Sequence, residues 1–373
     1  MRSPLLDRPG AVAVEGGAVA AHYGEPLPEQ RRAAEAAVLV DRSDRDVLVV
    51  PGADRLSWLH SLLSQHLDAL ADGTATEALV LSPQGHVEHH VALAETGGTT
   101  WGDTEPGAGA ALVTWLDRMR FMLRVEPALV TPDWALLTLV GPRGDDVLTA
   151  AGLPVPAAVD QVLPLEGGGW ARRSSPLGDG SAAVVDLLVP RAELAARADA
   201  LLAAGATLAG VDALTALGVE ARRPRPGVDS DHRTIPNETP WLRTAVHLEK
   251  GCYRGQETVA RVHNLGRPPR RLVLLHLDGM EEHLPAAGTP VLSGTKEVGR
   301  VGTVVRHHEL GVVGLALVKS SVLEKLATGT AVELRVEPSV AVVDTDDLAV
   351  ETDEAVAAAR ERVRAVRSAT IGR

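Results

Sequence analysis

The chain has 373 residues, of which 45% are hydrophobic and 23% charged, enough length and apolar content for two or three domains with real cores. Six Trp, two Tyr and one Phe leave the core to Leu, Val and Ala and supply few stacking platforms for single-stranded nucleic acid. No apolar run approaches the roughly eighteen residues of a membrane span, Asp7 and Pro9 stand where a signal peptide needs an apolar stretch, and a single cysteine, Cys252, can form no internal disulfide and cannot hold an iron–sulfur cluster alone; together these point to the cytoplasm.

In chain order, Glu29 to Ala37 is helix-like, Asp46 to Val50 is a strand stopped by Pro51-Gly52, and Asp54 to Leu63 has helical spacing in Leu56, Leu59, Leu62 and Leu63. Ala78 to Leu81, a Pro83-Gln84-Gly85-His86 turn and Val87 to Leu93 predict a hairpin, and Ala110 to Met122 a helix. Trp134 to Val140 predicts a strand, Asp145 to Ala151 a helix, Ala182 to Val189 a strand and Ala192 to Leu202 a helix. This non-alternating order predicts an α+β fold of two mixed α/β units with antiparallel sheets, not a doubly wound parallel sheet. From Arg271 onward the texture becomes all-β: Leu272 to Leu277, Thr289 to Leu292, Glu297 to Arg306, Val312 to Val318 and Ala331 to Val336, separated by turn signals, predict a small C-terminal barrel. The expected divisions are 1–267 for two interleaved α+β subdomains, 268–345 for a barrel entered through Pro268-Pro269, and 346–373 for a charged tail, helical over 353–367.

Net charge is −12, unevenly spread. From Gly218 to Arg271 eleven Lys and Arg face six acids, so that segment is +5 and the remainder −17. A positive field in an acidic protein suggests an anionic ligand, and a folate glutamate tail or an RNA phosphate would qualify beside the plainer reading of a solvated basic face.

Within that segment, Lys250-Gly251-Cys252-Tyr253-Arg254-Gly255-Gln256-Glu257 surrounds the only cysteine with polar groups. Gly251 and Gly255 free the backbone for a tight loop, Gln256 to His263 reads as a short helix ended by Asn264 and Gly266, and Glu257 with Arg261 is spaced to pair on one face. A thiol near a helix N-terminus, with Lys250 before it and Arg254 after it, is placed to favour the thiolate, so Cys252 is the candidate reactive group and Lys250 its charge partner; the plain alternative is a buried small hydrophobe.

The same motif resembles the signature of the YgfZ-type folate-binding proteins, relatives of the glycine-cleavage aminomethyltransferase (T-protein). The resemblance extends to Val38 to Ser43, Pro51 to Arg55 with Trp58-Leu59, Pro83-Gln84-Gly85, Val219-Glu220-Ala221 with Pro224, Pro236-Asn237-Glu238, and Val298-Gly299 to Lys319. It implies tetrahydrofolate or a one-carbon derivative as ligand and a role in assembling or repairing iron–sulfur enzymes, tRNA-modifying ones among them, with those clients or assembly proteins as partners. Asp186, in Asp186-Leu187-Leu188-Val189-Pro190, matches the family acid that recognises the pterin ring, and Glu238, Arg222 and Arg223 fall in blocks that flank the ligand. The family typically has Gly where this chain has Arg222.

The resemblance also marks departures. The aspartate pair that aminomethyltransferases carry after the hairpin turn, one of them the catalytic acid, is here His89 and His90, and their Asn-Asp after the first helix is Gln65 and His66. Glycine cleavage is therefore not the expectation, and the histidines become pocket residues able to move protons near neutral pH. A folate-dependent aminomethyltransferase or demethylase is the first alternative, and a tRNA-binding module acting through the +5 segment is the second. Strand alternation puts His86, Glu88 and His90 on one side and His89 on the other, which is too few ligands for a metal site. His307 and His308 read as surface residues. Gly107 to Ala111 lacks the strand and the Lys-Ser/Thr of a phosphate loop, and no Gly-x-Ser-x-Gly elbow is present.

Overall fold

A computed structural model describes residues 1–180, 182–278 and 283–348; the expected helix over 353–367 lies outside them. Two sheets are built from interleaved stretches of the first half of the chain. The five-stranded sheet runs Thr74–Leu81, Val87–Thr96, Thr99–Thr104, Asp46–Pro51 and Ala128–Leu129. The six-stranded sheet runs Val162–Pro164, Trp170–Leu177, Ala182–Pro190, Trp134–Val140, Val38–Asp41 and Thr207–Ala209, antiparallel except for its last pair. This is the α+β arrangement that the non-alternating element order predicts.

Each sheet is covered on its outer face by helices. Leu48, Val50, Ala78, Val80, Val91 and Leu93 of the five-stranded sheet pack with Trp58, Leu59, Leu112 and Leu116 from helices Arg55–Leu62 and Gly109–Met119. On the six-stranded sheet Leu137, Leu139, Val185 and Leu187 meet Val147, Leu148, Leu194, Ala198 and Leu201 from helices Gly144–Ala150 and Leu194–Ala203. Burying a Leu or Val side chain is worth roughly 1.5–3 kcal/mol, so these two clusters fix which face of each sheet turns inward.

The inner faces then meet, and their cross-strand rows match. On the six-stranded sheet an apolar row, Trp170–Leu188–Leu136, lies beside a polar row, Arg172–Asp186–Thr138. The five-stranded sheet answers with Ala75–Ala94–Trp101 beside Glu77–Ala92–Asp103. Apolar meets apolar in a buried layer that includes Val47, Leu136, Trp170 and Leu188, with the Trp101 and Trp134 rings edge to face at 4.9 Å. The polar rows are thereby stacked on each other.

The barrel closes from six strands, Arg270–Leu277, Gly311–Lys319, Lys296–His307, Pro290–Ser293, Leu334–Val336 and Ser339–Val343, around Val273, Leu275, Val291, Val301, Val318 and Leu334. It docks on helix Val211–Glu220, whose Val219 packs with Leu272, Leu274 and Val313. No helix among the described residues is long and apolar enough to cross a membrane.

A polar floor between the sheets and a pinned thiol loop

Three guanidinium groups and three carboxylates interlock where the polar rows meet. Arg172 Nη2 lies 2.8 Å from Asp186 Oδ2 and 2.9 Å from Asp103 Oδ1, so it joins the two sheets. Arg45 donates to Asp103 at 2.8 Å and pairs with Glu105, and Arg42 Nη1 lies 3.4 Å from Asp186. Asp186 also accepts from Thr138 Oγ1 at 2.7 Å and Ser174 Oγ at 2.8 Å. Burial would raise the Asp186 carboxyl, but the charges of Arg172 and Arg42 outweigh it and hold the group well below the usual carboxylate range.

Asp186, expected as the pterin contact, is instead found paired with protein groups. Both of its oxygens are committed within a buried ion-pair network, and the residue is 2% exposed. The carboxylates that remain reachable on this floor are Glu77 and Glu105, with 36% and 34% of their side chains exposed. Glu77 Oε2 accepts from Thr244 Oγ1 at 2.9 Å and lies 3.3 Å from His90 Nε2, and His90 stacks on Trp241 with centroids 5.4 Å apart. Burial works to raise the Glu77 carboxyl, yet the His90 hydrogen bond and charge, the Thr244 hydroxyl and the Arg223 charge bring it down to about 2. Glu77 escaped the sequence reading because a single Glu in Thr74-Ala75-Thr76-Glu77-Ala78 looks like an ordinary solvent-facing strand residue.

The other pocket candidates are sorted by the same geometry. His90 faces the floor, whereas His89 pairs with Val80 and turns toward the helix-covered core, where burial lowers its pKa. Gln65 donates to Thr244 O at 3.3 Å and so touches the residue that holds Glu77. His66 is exposed, its ring 4.7 Å from His60 and 5.2 Å from His247. A bulge sets Val80 opposite His89 and Leu81 opposite Val87, leaving Glu88 as the extra residue, so His86, Glu88 and His90 do not share a face as simple alternation predicts. Among the described residues no three His, Cys, Asp or Glu are grouped to hold a metal ion.

The expected cofactor-flanking residues divide between floor and barrel. Arg223 donates to Ser175 O in strand Trp170–Leu177 of the six-stranded sheet, and its charge helps to lower the Glu77 carboxyl. Arg222 instead pairs with Asp344 at 3.0 Å and Asp347 at 3.1 Å, beside the barrel, and its φ of +53° accounts for the Gly that the family resemblance puts there. Glu238 caps its own turn at Ile235 N and receives two 2.8 Å hydrogen bonds from Arg270 at the first barrel strand. Much of the +5 segment thus joins domains. Arg270 also reaches Asp231 at 2.7 Å, and Arg225 donates to Thr303 of the barrel at 3.0 Å. His307 is another correction: it is 3% exposed, stacked on His308 at 4.6 Å, and burial brings its pKa down to about 4.

The motif loop is pinned at both ends. Lys250 is 6% exposed, and its ammonium donates to the carbonyls of His60, of Leu63 at 2.7 Å and of Gln65 at 2.8 Å, around the C-terminal end of helix Arg55–Leu62. All three donors are used there, so Lys250 latches the loop. Burial lowers its pKa to about 8. At the other end Gly255, at φ +82°, caps helix Gln256–Leu265, which ends at left-handed Gly266 as predicted. A Cβ on Gly255 would stand 2.6 Å from Ser82 O and 2.8 Å from Gly85 Cα, so the hairpin turn lies directly on the loop backbone.

Between the pins, Gly251 and Cys252 are exposed. Tyr253 turns inward onto Leu79, Leu81, Trp241 and Val259, and burial pushes its hydroxyl up to about 12. Gln256 donates to Lys250 O at 3.2 Å, and Arg254 pairs with Glu88 of the hairpin at 3.3 Å. Glu257 and Arg261 are both exposed and form no ion pair among the described residues; two long side chains in water gain little from one.

Comparison with known proteins agrees with this architecture. The family model described as CAF17, C-terminal beta-barrel domain, matches residues 270–363. A chloroplastic protein of Arabidopsis thaliana named as a transferase is 23% identical over 71% of this chain and 61% of its own length. An aminomethyltransferase of Symbiobacterium thermophilum is 27% identical over 81% of this chain and 84% of its own. The crystal structure of the glycine cleavage system aminomethyltransferase T from Bartonella henselae superposes with a TM-score of 0.79 at 20% identity, covering 91% of this chain and 94% of that one. The chain therefore has the fold of aminomethyltransferase T over nearly its whole length, and its barrel is similar to the CAF17 C-terminal domain.

Proposed function

We propose that this protein binds tetrahydrofolate or a one-carbon derivative on the polar floor and supports the assembly or repair of iron–sulfur enzymes, tRNA-modifying ones included, in the cytoplasm. The observation that carries the folate part is the Glu77–His90–Arg223 group, a reachable set of acceptor and donor groups between two sheets of an aminomethyltransferase fold. The fit is chemical. Glu77 Oε1 takes no donor among the described residues, and a reduced pterin brings N–H donors on one edge. Bound folate would supply one-carbon chemistry; the chain supplies recognition and an exposed thiol.

Cys252 suits work on another protein, since it stands out in water on a loop held at Lys250 and Gly255. Replacing Cys252 by Ala is expected to leave folding and tetrahydrofolate binding intact while abolishing support of iron–sulfur enzymes in cells. Full support by Cys252→Ala would sink the thiol's part in this reading, and calorimetric titration of the reduced protein with tetrahydrofolate tests the folate part.

Aminomethyl transfer or demethylation is the second reading. It is favoured by His90 standing against a carboxylate, an arrangement able to give and take protons, at one of the two positions, His89 and His90, where the resemblance puts an aspartate pair that includes the catalytic acid. A one-carbon transfer assay with N-methylated donors separates the two. Direct RNA binding through the +5 segment loses support, because Arg222, Arg225 and Arg270 are spent on the barrel.

A further inference from the structure

Resting on the folate reading, we infer that Glu77 is the residue that recognises the heterocyclic head of the ligand, reading the amidine edge of a 2-amino-4-oxopteridine, in place of Asp186. The argument is an accounting of carboxylates on the inner faces. Asp186 accepts from Thr138, Arg172, Ser174 and Arg42, and Asp103 lies between Arg45 and Arg172. Both are buried, Asp103 at 1% and Asp186 at 2% exposed, and so out of a ligand's reach. Glu105 gives only Oε1 to Arg45 and is 34% exposed, so it and Glu77 are the two carboxylates within a ligand's reach. Glu77, 36% exposed and with no donor on Oε1 among the described residues, is set apart by its surroundings: Thr244 and His90 fix the carboxylate plane through Oε2 alone, and the His90 ring stacks on Trp241 beside it, whereas Glu105 meets only arginines.

A cyclic amidine presents an exocyclic N–H and a ring N–H side by side, which one carboxylate accepts as two parallel charge-assisted hydrogen bonds. Such a site discriminates strongly against a ring lacking those donors, because a carboxylate facing an acceptor or a C–H is left unpaired. The neighbours suit a flat ring. The His90 ring is already stacked on Trp241, 25° from parallel, and the charge of Arg223 also favours the ionised Glu77 carboxylate. The inference therefore extends to specificity: the head is chosen by its donor edge, and the p-aminobenzoyl-glutamate portion adds affinity without choosing.

The test is calorimetric titration of the full chain with tetrahydrofolate, with 6-methyltetrahydropterin as the head alone, and with p-aminobenzoyl-glutamate as the remainder, for the wild type, Glu77→Gln and Asp186→Asn. Glu77→Gln is expected to weaken both pterin ligands by about tenfold or more, to leave the weak binding of p-aminobenzoyl-glutamate unchanged, and to stay folded with a modestly lowered melting temperature, since Gln still accepts from Thr244 but loses the charge that His90 and Arg223 favour. Asp186→Asn is expected to lower the melting temperature further while leaving the pterin affinity of the folded protein near wild type. Wild-type affinity for both pterins in Glu77→Gln overturns the inference and leaves the folate reading standing. Binding of none of the three by the wild type overturns both.

Discussion

Lys250 shows how one side chain can serve a loop without taking part in its chemistry. A buried ammonium against three carbonyls satisfies acceptors that the end of helix Arg55–Leu62 leaves open, and it opposes the negative end of the helix dipole. Lys250→Met fills the same space and strands those carbonyls. It is expected to cost about 1–3 kcal/mol in urea unfolding and to change the rate at which a thiol reagent labels Cys252, because the loop loses one of its two pins. An unchanged labelling rate would show that the Gly255 contact alone sets the loop. That contact is as local: Gly255→Ala needs a left-handed φ for a residue with a side chain and puts its Cβ 2.6 Å from Ser82 O, so a loss of about 2 kcal/mol or more is expected, measured by the same unfolding curve. The motif glycines were legible in the sequence as loop formers, but the partner of Gly255, a hairpin turn some 170 residues earlier, was not, since close backbone approach leaves no pattern in spacing.

Among elements, those with a clean apolar period were readable and those bearing the polar floor were not. Strand Trp134–Val140, the hairpin after Thr74 and helix Arg55–Leu62 follow directly from their patterns. Strand Trp170–Leu177 does not, because Arg172, Arg173, Ser174 and Ser175 interrupt it, and these include the residues that build the ion-pair network. Helix Val211–Glu220 was hidden for the opposite reason, being apolar on nearly all sides and buried between sheet and barrel. The barrel's attachment was equally invisible, since it depends on charges pairing across domains. Arg270, at the first barrel strand, holds Asp231 and Glu238 of the preceding segment together, and their hydrogen bonds raise its pKa further. Removing one partner of such a group leaves two carboxylates facing each other. Arg270→Met is expected to cost about 3 kcal/mol and to make the barrel boundary sensitive to limited proteolysis near Pro268-Pro269, while Glu238→Gln, which keeps an acceptor, is expected to cost less.

At the scale of the molecule, the two sheets are joined by apolar rows that any pH leaves intact and by polar rows that acid dismantles. Glu77 and Glu105 are brought down to about 2 despite burial, Glu105 by the charges of Arg45 and Arg42, and Asp103 and Asp186 are also lowered by their arginines. A carboxylate whose folded pKa is depressed contributes stability that is fully present above its unfolded value and is lost as pH falls through the folded one. Asp41, Asp44 and Asp229 are raised by burial and act in the opposite sense, since the folded state takes up their protons first. The two groups work in successive pH ranges. His307 and His89, whose pKa values burial lowers, oppose the raised aspartates, since the unfolded state takes up their protons first; a shallow change is therefore expected from about pH 6.5 to about 4, and then a steep drop toward pH 2 as the floor protonates. Urea unfolding followed by tryptophan fluorescence suits the measurement, because Trp101, Trp134 and Trp170 sit in the layer between the sheets. Glu105→Gln, which stands in for the protonated carboxyl, should lower the plateau near neutrality and flatten the low-pH limb by a comparable amount, and a curve with no added steepness below about pH 4 would mean that the ion pairs of the floor are not what ties the two sheets together.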